Sequence, residues 1–257
     1  MFKLRNPVWR EVPALRGLWK EAFGDGDAFL DAFFYTAFAP ERSLVADVEG
    51  EIAAALFWFF CEYAGGRLGY LYGICTRAGY RGRGFCRKLM AAAEKTLVTQ
   101  GCAGVILVPG NEALASMYAA MGYVSCCPMV ERRIYAGQTP LFVEPVSPEA
   151  YGALRKNLLP MYGVRQEGIN LAFQARLGRL YRGTHCVFAI ERTGGKAVLK
   201  ELLTDGANPE ALAAGALAAL QIDSATLRRA EINGKMFAMF KPQKPCRAPY
   251  YFGLAFD

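Results

Sequence analysis

The stretch that most constrains the fold is a buried strand that leads through a turn of arginine and glycine into a helix. It runs from Leu71 to Met90 and reads LYGICTRAGYRGRGFCRKLM. Glycine allows positive φ and close approach of a ligand to the backbone, and the first amides of a helix have no internal partners. The helix dipole and nearby arginines add attraction for phosphate. The pattern favours a phosphate-binding turn; the alternative is a basic surface turn.

Composition and charge narrow the class of protein. The chain has 257 residues, of which 53% are hydrophobic and 21% charged, so it can bury a sizeable core in one large domain or two. The net charge of +7 is spread over both halves, and the one dense basic cluster lies within residues 77–88. A nucleic-acid binder would concentrate its charge on one face or tail. We therefore expect no nucleic-acid partner, since that reading rests on net charge alone.

Targeting and metal signals are weak. The longest apolar run, 52–61, is far shorter than the roughly 20 residues of a spanning helix, and the N-terminus lacks a signal-peptide run. We expect a cytoplasmic protein with no membrane partner. The eight cysteines form no Cys-x-x-Cys pair and His185 is the only histidine, so we expect no metal and reduced thiols.

Hydrophobic spacing predicts an order of elements that recurs along the chain. Residues 15–23 and 28–38 are predicted as helices, 43–48, 52–63 and 68–76 as strands, 85–99 as a helix, 104–108 as a strand, 111–121 as a helix, with a strand from Tyr123. A linker with three prolines, 139–148, gives predicted domains 1–138 and 139–257. Beyond it, helices at 148–158 and 167–181, strands at 185–191 and 197–203, a helix at 209–220 and strands at 227–231 and 236–241 suggest an internal duplication.

Two motifs in the first half resemble those of the GNAT family of acetyltransferases. Residues 81–86, RGRGFC, resemble its acetyl-CoA signature of Arg or Gln, two residues, Gly, one residue, and Gly or Ala. Cys86 departs at the last position, and Ala78-Gly79 replaces a proline common before this turn. Asn111 with Tyr118 and then Gly122-Tyr123 resembles a second family pattern. The resemblance covers roughly residues 10–130.

The resemblance implies an α/β (α+β) GNAT fold, with a mixed, mostly antiparallel sheet flanked by helices, and an N-acetyltransferase that uses acetyl-CoA. The second half is read as a degenerate GNAT-like α+β domain without its own cofactor, because Asp205 stands at its corresponding turn; an unrelated α+β domain is the alternative. The cofactor-binding residues implied are Ile74, Cys75, Thr76, Arg81, Gly82, Arg83, Gly84, Phe85, Cys86, Arg87 and Asn111.

Catalytic roles follow from the same resemblance. Tyr118 is assigned as general acid to the leaving thiolate, a role a phenol can fill, and the alternative is a core aromatic. Asn111 is assigned to the pantetheine arm, and the alternative is a plain helix N-cap, although both roles can coexist. Glu62 and Glu112 are candidate bases, although a solvated surface carboxylate is the better reading of each.

The acceptor and the oligomeric state are not readable from the sequence. The expected partner is a small-molecule or protein amine, attacking the thioester directly. An alternative from another class is a non-catalytic acyl-CoA-binding sensor or partner-binding protein. The aromatic tail, 248–257, is expected to pack as a last strand.

Overall fold

The computed structural model describes residues 2–257 and groups them by contacts into two compact units. The first comprises residues 2–124 with Met239–Arg247, and the second comprises Ser125–Ala238 with Ala248–Asp257. This grouping places residues 239–247, which the linker-based division assigned to the second domain, with the first unit. The chain therefore contributes a late segment to an early unit.

The first unit follows the order of helices and strands that the hydrophobic spacing predicts, with one further strand, β1, before the first predicted helix. Its elements are β1 Phe2–Arg5, α1 Val12–Phe23, α2 Asp27–Thr36, β2 Ser43–Val48, β3 Glu51–Tyr63, β4 Gly66–Thr76, α3 Phe85–Thr99, β5 Gly104–Leu107 and α4 Glu112–Ala119. Glycine ends α1, where Gly24 has φ +75° and donates its N–H to the Lys20 carbonyl. Gly101 and Gly122, both at positive φ, follow the ends of α3 and α4.

The sheet of the first unit is mostly antiparallel. Its strand order is β1-β2-β3-β4-β5-β12, where β12 is Lys235–Pro242 and its last four residues pair antiparallel with β5. The pair β4–β5 is parallel, and α3 makes the crossover between these strands. One face packs on α3 through side chains such as Leu71 and Leu89. The other face is aromatic and packs on α1 and α2 around Trp19.

The second unit repeats this plan. Its elements are β6 Val124–Tyr135, β7 Val143–Pro145, α5 Pro148–Leu158, α6 Ile169–Leu177, β8 Gly178–Gly183, β9 Cys186–Thr193, β10 Lys196–Thr204, α7 Pro209–Ala219 and β11 Ser224–Ala230. The strand order is β6-β11-β10-β9-β8-β7, and β10–β11 is the parallel pair. The run β9-β10-α7-β11 thus corresponds to β3-β4-α3-β5, as the suggested duplication requires.

Two sequence-based expectations about this unit are wrong. Residues 167–181 do not form one helix, because α6 ends at Leu177 and Gly178–Gly183 pairs with β9. The tail does not form a last strand, since Tyr251 makes one isolated bridge to Gly163 and the residues after it form no strand. The tail is nevertheless buried from Tyr251 to Phe256, with the Phe256 ring 4.8 Å from that of Phe173. An apolar tail is expected to be buried, but apolar composition alone does not show whether it pairs as a strand.

Within residues 2–257, we find no helix that is long and apolar enough to cross a membrane. The same residues contain no group of three or more His, Cys, Asp or Glu side chains that could hold a metal ion. No disulfide joins any of the eight cysteines, and six of them are buried.

Candidate functional site

The strand β4 has an unpaired edge where it leaves β5. Parallel pairing runs from Leu68 opposite Gly104 to Tyr70 opposite Ile106, and β4 then continues to Thr76. On its other edge it stays paired with β3. The predicted residues Ile74, Cys75 and Thr76 lie on this last stretch. Their backbone groups on the β5 side therefore face an opening in the sheet instead of another strand.

A bulge marks the start of that opening. The register between β3 and β4 shifts between Ala55 and Phe57, so that Phe57 faces Tyr72 and Ala55 faces Cys75. Gly73 lies in the shifted stretch with φ +58°, a conformation that favours glycine. The bulge bends the strand at the point where it parts from β5.

The turn after β4 opens directly onto the start of α3. Gly82 and Gly84 have φ of +75° and +77°, and α3 begins at Phe85 with no side-chain cap on its first amides. A Cβ added at either glycine would have no atom within 4 Å. The backbone conformation requires these glycines, and the space beside them is unfilled by protein. Such an uncapped N-terminus suits an anion.

Four exposed cations surround this turn: Arg81, Arg83, Arg87 and Lys88. Among residues 2–257 none of them pairs with a carboxylate, whereas Arg5 and Arg16 each contact two acids. The Arg81 Nε donates to the Thr76 carbonyl at 3.2 Å, which ties the turn to the end of β4. The cluster is thus a concentration of positive charge without counter-charge, at an open helix N-terminus.

Phe85 and Cys86 anchor the first turn of α3 from the inside. Phe85 is buried in the core cluster, and the Cys86 Sγ lies 3.8 Å from the Met90 Sδ. Burial raises the pKa of Cys86, so the thiol stays protonated. The residue that departs from the family signature therefore packs as a small, neutral side chain and leaves the outward-facing amides unobstructed.

Asn111 and Tyr118 lie at opposite ends of α4. The Asn111 Oδ1 accepts a hydrogen bond from the Leu114 N–H at 2.9 Å, so this residue is an N-cap. Tyr118 is buried, with 5% of its surface exposed. Burial raises the pKa of Tyr118 and the nearby Cys86 adds to the effect. The structure therefore brings the predicted acid close to the first turn of α3.

A buried hydrogen-bond network next to Tyr118 is not predicted by the sequence. The Tyr123 hydroxyl donates to the Glu94 Oε1 at 2.8 Å, and the Lys241 Nζ donates to the Glu94 Oε2 at 2.6 Å. Burial, followed by the charge of Glu94, raises the pKa of Tyr123. Tyr123 belongs to the Gly122-Tyr123 motif, but no sequence pattern links it to Lys241.

The two candidate bases have different positions. Glu62 pairs with Arg67 across the β3–β4 hairpin, with 3.3 Å from the Arg67 Nε to the Glu62 Oε1. Nine residues of strand, about 30 Å at 3.3 Å each, separate Arg67 from Thr76. Glu62 is therefore not brought to the opening. Glu112 lies in the first turn of α4, beside Asn111, with its side chain exposed.

The corresponding turn of the second unit is closed. The Asn208 Oδ1 accepts from the Glu210 N–H at 2.9 Å and the Ala211 N–H at 3.4 Å, which caps the first amides of α7. Asp205 pairs with His185, 2.9 Å from the His185 Nδ1 to the Asp205 Oδ2. The Glu210 carboxylate in the first turn of α7 pairs with two arginines. Phosphate would therefore meet occupied donors, and the Asp205 carboxylate in the same turn.

Comparison with known proteins agrees with these features. Residues 12–123 match the model of the acetyltransferase (GNAT) family. An acetyltransferase of Yersinia pestis is 33% identical over 86 residues, which are 33% of this chain and 58% of that relative. An acetyltransferase of Photorhabdus laumondii is 30% identical over 79 residues, 31% of this chain and 52% of the relative. The chain thus spans little more than half the length of these relatives.

Solved structures resemble the chain over nearly its whole length. A GCN5-related N-acetyltransferase from Anabaena variabilis has a TM-score of 0.70 at 17% identity, covering 93% of this chain and 72% of that one. A tandem GNAT protein from the clavulanic acid biosynthesis pathway has a TM-score of 0.62 at 13% identity, covering 96% and 100%. Both units thus share the GNAT fold, which confirms the predicted fold class. The match to the model of the acetyltransferase (GNAT) family spans residues 12–123, less than half of the chain.

Proposed function

We propose that the chain is an acetyl-CoA-dependent N-acetyltransferase that transfers an acetyl group to an amine by direct attack. One observation carries the proposal. The unpaired edge of β4 leads straight into an uncapped helix N-terminus whose surrounding cations have no counter-charge. An extended ligand with a phosphate end and a thioester end matches both parts of this surface.

Different residues of the first unit would bind different parts of acetyl-CoA. Backbone amides from Gly82 to Arg87 would hold the pyrophosphate, with Arg81, Arg83 and Arg87 beside it. The edge of β4 at residues 74–76 would bind the acetyl and pantetheine groups. The Asn111 Oδ1 serves the cap of α4, which leaves its amide nitrogen for the pantetheine arm.

The chemistry then requires an oriented carbonyl, a proton donor for the departing sulfur, and an acceptor for the proton that the amine nitrogen loses; solvent water would take that proton and later restore the one that the donor gives up. Acetyl-CoA, when bound, supplies a thioester that a neutral amine can attack without a covalent enzyme intermediate. Backbone N–H groups near residues 74–76 would polarise the thioester carbonyl. Tyr118 is a neutral phenol, because burial raises its pKa, and it would donate to the departing thiolate sulfur.

The proposed acceptor is a small-molecule or protein amine. The proposed location of the enzyme is the cytoplasm, and both proposals come from the sequence. The test is a calorimetric titration with acetyl-CoA, followed by thiol release measured with a panel of polyamines, aminoglycosides, amino acids and peptides. Turnover with one of these amines supports the proposal. Tight acetyl-CoA binding with no turnover for any acceptor would favour a non-catalytic acyl-CoA sensor, and no binding would overturn both functions.

A further inference from the structure

The buried network of Tyr123, Glu94 and Lys241 joins the two helices that carry the proposed site. Tyr123 is 2% exposed and Glu94 is 8% exposed. The two Glu94 oxygens take one donor each, the Tyr123 hydroxyl and the Lys241 ammonium. The ammonium also lies 5.6 Å from the centroid of the Tyr123 ring. A buried carboxylate with both oxygens satisfied is held in one position.

Tyr123 is connected to Tyr118 through both backbone and ring. The Tyr123 N–H donates to the Tyr118 carbonyl at 3.1 Å, and the two ring centroids are 6.1 Å apart at 55°. Glu94 lies on α3, the helix whose first turn carries the cation cluster. The end of α4 that holds Tyr118 is therefore fixed relative to α3 by the hydroxyl of Tyr123.

The cation of this network comes from the segment that returns to the first unit. Lys241 lies on β12 opposite Val105 of β5. A Cβ added to Gly122 would lie 3.6 Å from the Lys241 Cε, so the lysine stem runs alongside the turn that follows α4. Residues 239–242 therefore add a strand to the sheet, and Lys241 contacts the turn that carries Tyr123.

We propose that Tyr123, Glu94 and Lys241 are positioning residues that hold Tyr118 in register with the ligand bound at α3 and β4. This rests on the proposed role of Tyr118 as proton donor. A misplacement of about 1 Å at a reacting group can cost on the order of 100-fold in rate. Loss of the network should therefore lower kcat while leaving acetyl-CoA affinity, which depends on α3 and β4, within about twofold.

The experiment is a double-mutant cycle in the full chain with Tyr118→Phe and Tyr123→Phe. Each change removes one hydroxyl and keeps the ring, so packing is preserved. Acetyl-CoA affinity is measured by calorimetry, and kcat and KM by thiol release. Glu94→Gln and Lys241→Met enter the same cycle as independent ways to break the network. Lys95→Met, an exposed change on α3, is the matched control.

If the proposal holds, Tyr123→Phe lowers kcat about 10-fold or more, and causes little further loss in the Tyr118→Phe background because both act through one group. Additive losses, or a wild-type kcat in Tyr123→Phe, Glu94→Gln and Lys241→Met, would overturn the positioning role. Failure of the proposed function gives a different result, because the wild type would then release no thiol with any amine. Failure of the Tyr118 role alone would leave Tyr118→Phe at the wild-type rate.

Discussion

The indole of Trp19 packs directly on Gly73, the residue at the bulge of β4. A Cβ built on Gly73 would lie 2.6 Å from the Trp19 Cη2 and Cζ3, and 3.0 Å from the Phe57 Cδ2. Trp19 is 2% exposed, and its Nε1 donates to the Asp25 Oδ2 at 2.8 Å. The ring thus fills the space that a side chain at Gly73 would need, and α1 thereby supports the bend at which β4 parts from β5.

Gly73→Ala should destabilise the fold and weaken acetyl-CoA binding. The added methyl group would clash with the buried Trp19 ring, and alanine is strained at φ +58°. Together these effects should lower the free energy of unfolding by about 1–3 kcal/mol. Urea unfolding gives the stability change, and calorimetry gives the affinity. Gly17→Ala is the control, because it lies in α1 with no atom within 4 Å of an added Cβ; it should gain up to ~1 kcal/mol. Equal effects of the two changes would contradict the packing argument.

Local elements were readable from the sequence because their signals are local. The bounds of α3, Phe85–Thr99, match the predicted helix, since apolar periodicity and Gly101 mark them. The contact of Glu94 with Lys241 joins residues 147 positions apart, and hydrophobic spacing carries no information on such pairs. Of the predicted site residues, Tyr118 lies near Cys86 in the first turn of α3. The candidate base Glu62 lies at the end of β3 that faces Arg67, far from Thr76.

Removing one partner of a buried ion pair in the second unit should strongly destabilise the fold. The Arg155 Nε donates to the Glu201 Oε1 at 2.7 Å, and the side chains are 1% and 0% exposed. Glu201→Gln leaves the Arg155 charge buried without its partner, and should cost about 3–5 kcal/mol by urea unfolding.

The matched control is the exposed pair of Glu144 with Arg182, whose side chains are 45% and 51% exposed. Glu144→Gln should change stability by less than about 1 kcal/mol. A loss in Glu201→Gln no greater than in this control would show that water reaches the Arg155 guanidinium.

Stability should fall on the alkaline side, and buried tyrosines are the cause. Burial raises the pKa of Tyr118, Tyr123, Tyr151 and Tyr251 above the usual value of 10. These groups keep their protons in the folded state while the unfolded chain loses them, so their contribution is complete below pH 10 and is lost as the pH rises further.

Absorbance of the phenolate near 295 nm, recorded with and without denaturant, measures this difference. In the folded protein these four tyrosines should remain neutral at a pH where the denatured chain has ionised all 13 of its tyrosines. The melting temperature should decline over the same range above pH 10. Full ionisation of the folded protein with an ordinary pKa would refute the burial argument.

One acetyl-CoA should bind per chain, at the first unit, and Gly84→Val should abolish it. The first amides of α3 are open, whereas Asn208 occupies those of α7. Valine at φ +77° strains the turn and fills the space beside it, but meets no protein atom within 4 Å of its Cβ, so the fold should persist.

Gly79→Ala is the control, since Gly79 is equally open and lacks positive φ. Calorimetry should give a stoichiometry of one for the wild type and for Gly79→Ala, and no binding for a folded Gly84→Val, with folding checked by circular dichroism. Two molecules per chain in the wild type would place a second coenzyme site at the turn before α7 despite its cap. Unchanged binding by a folded Gly84→Val would instead overturn the assignment of the pyrophosphate to the turn before α3.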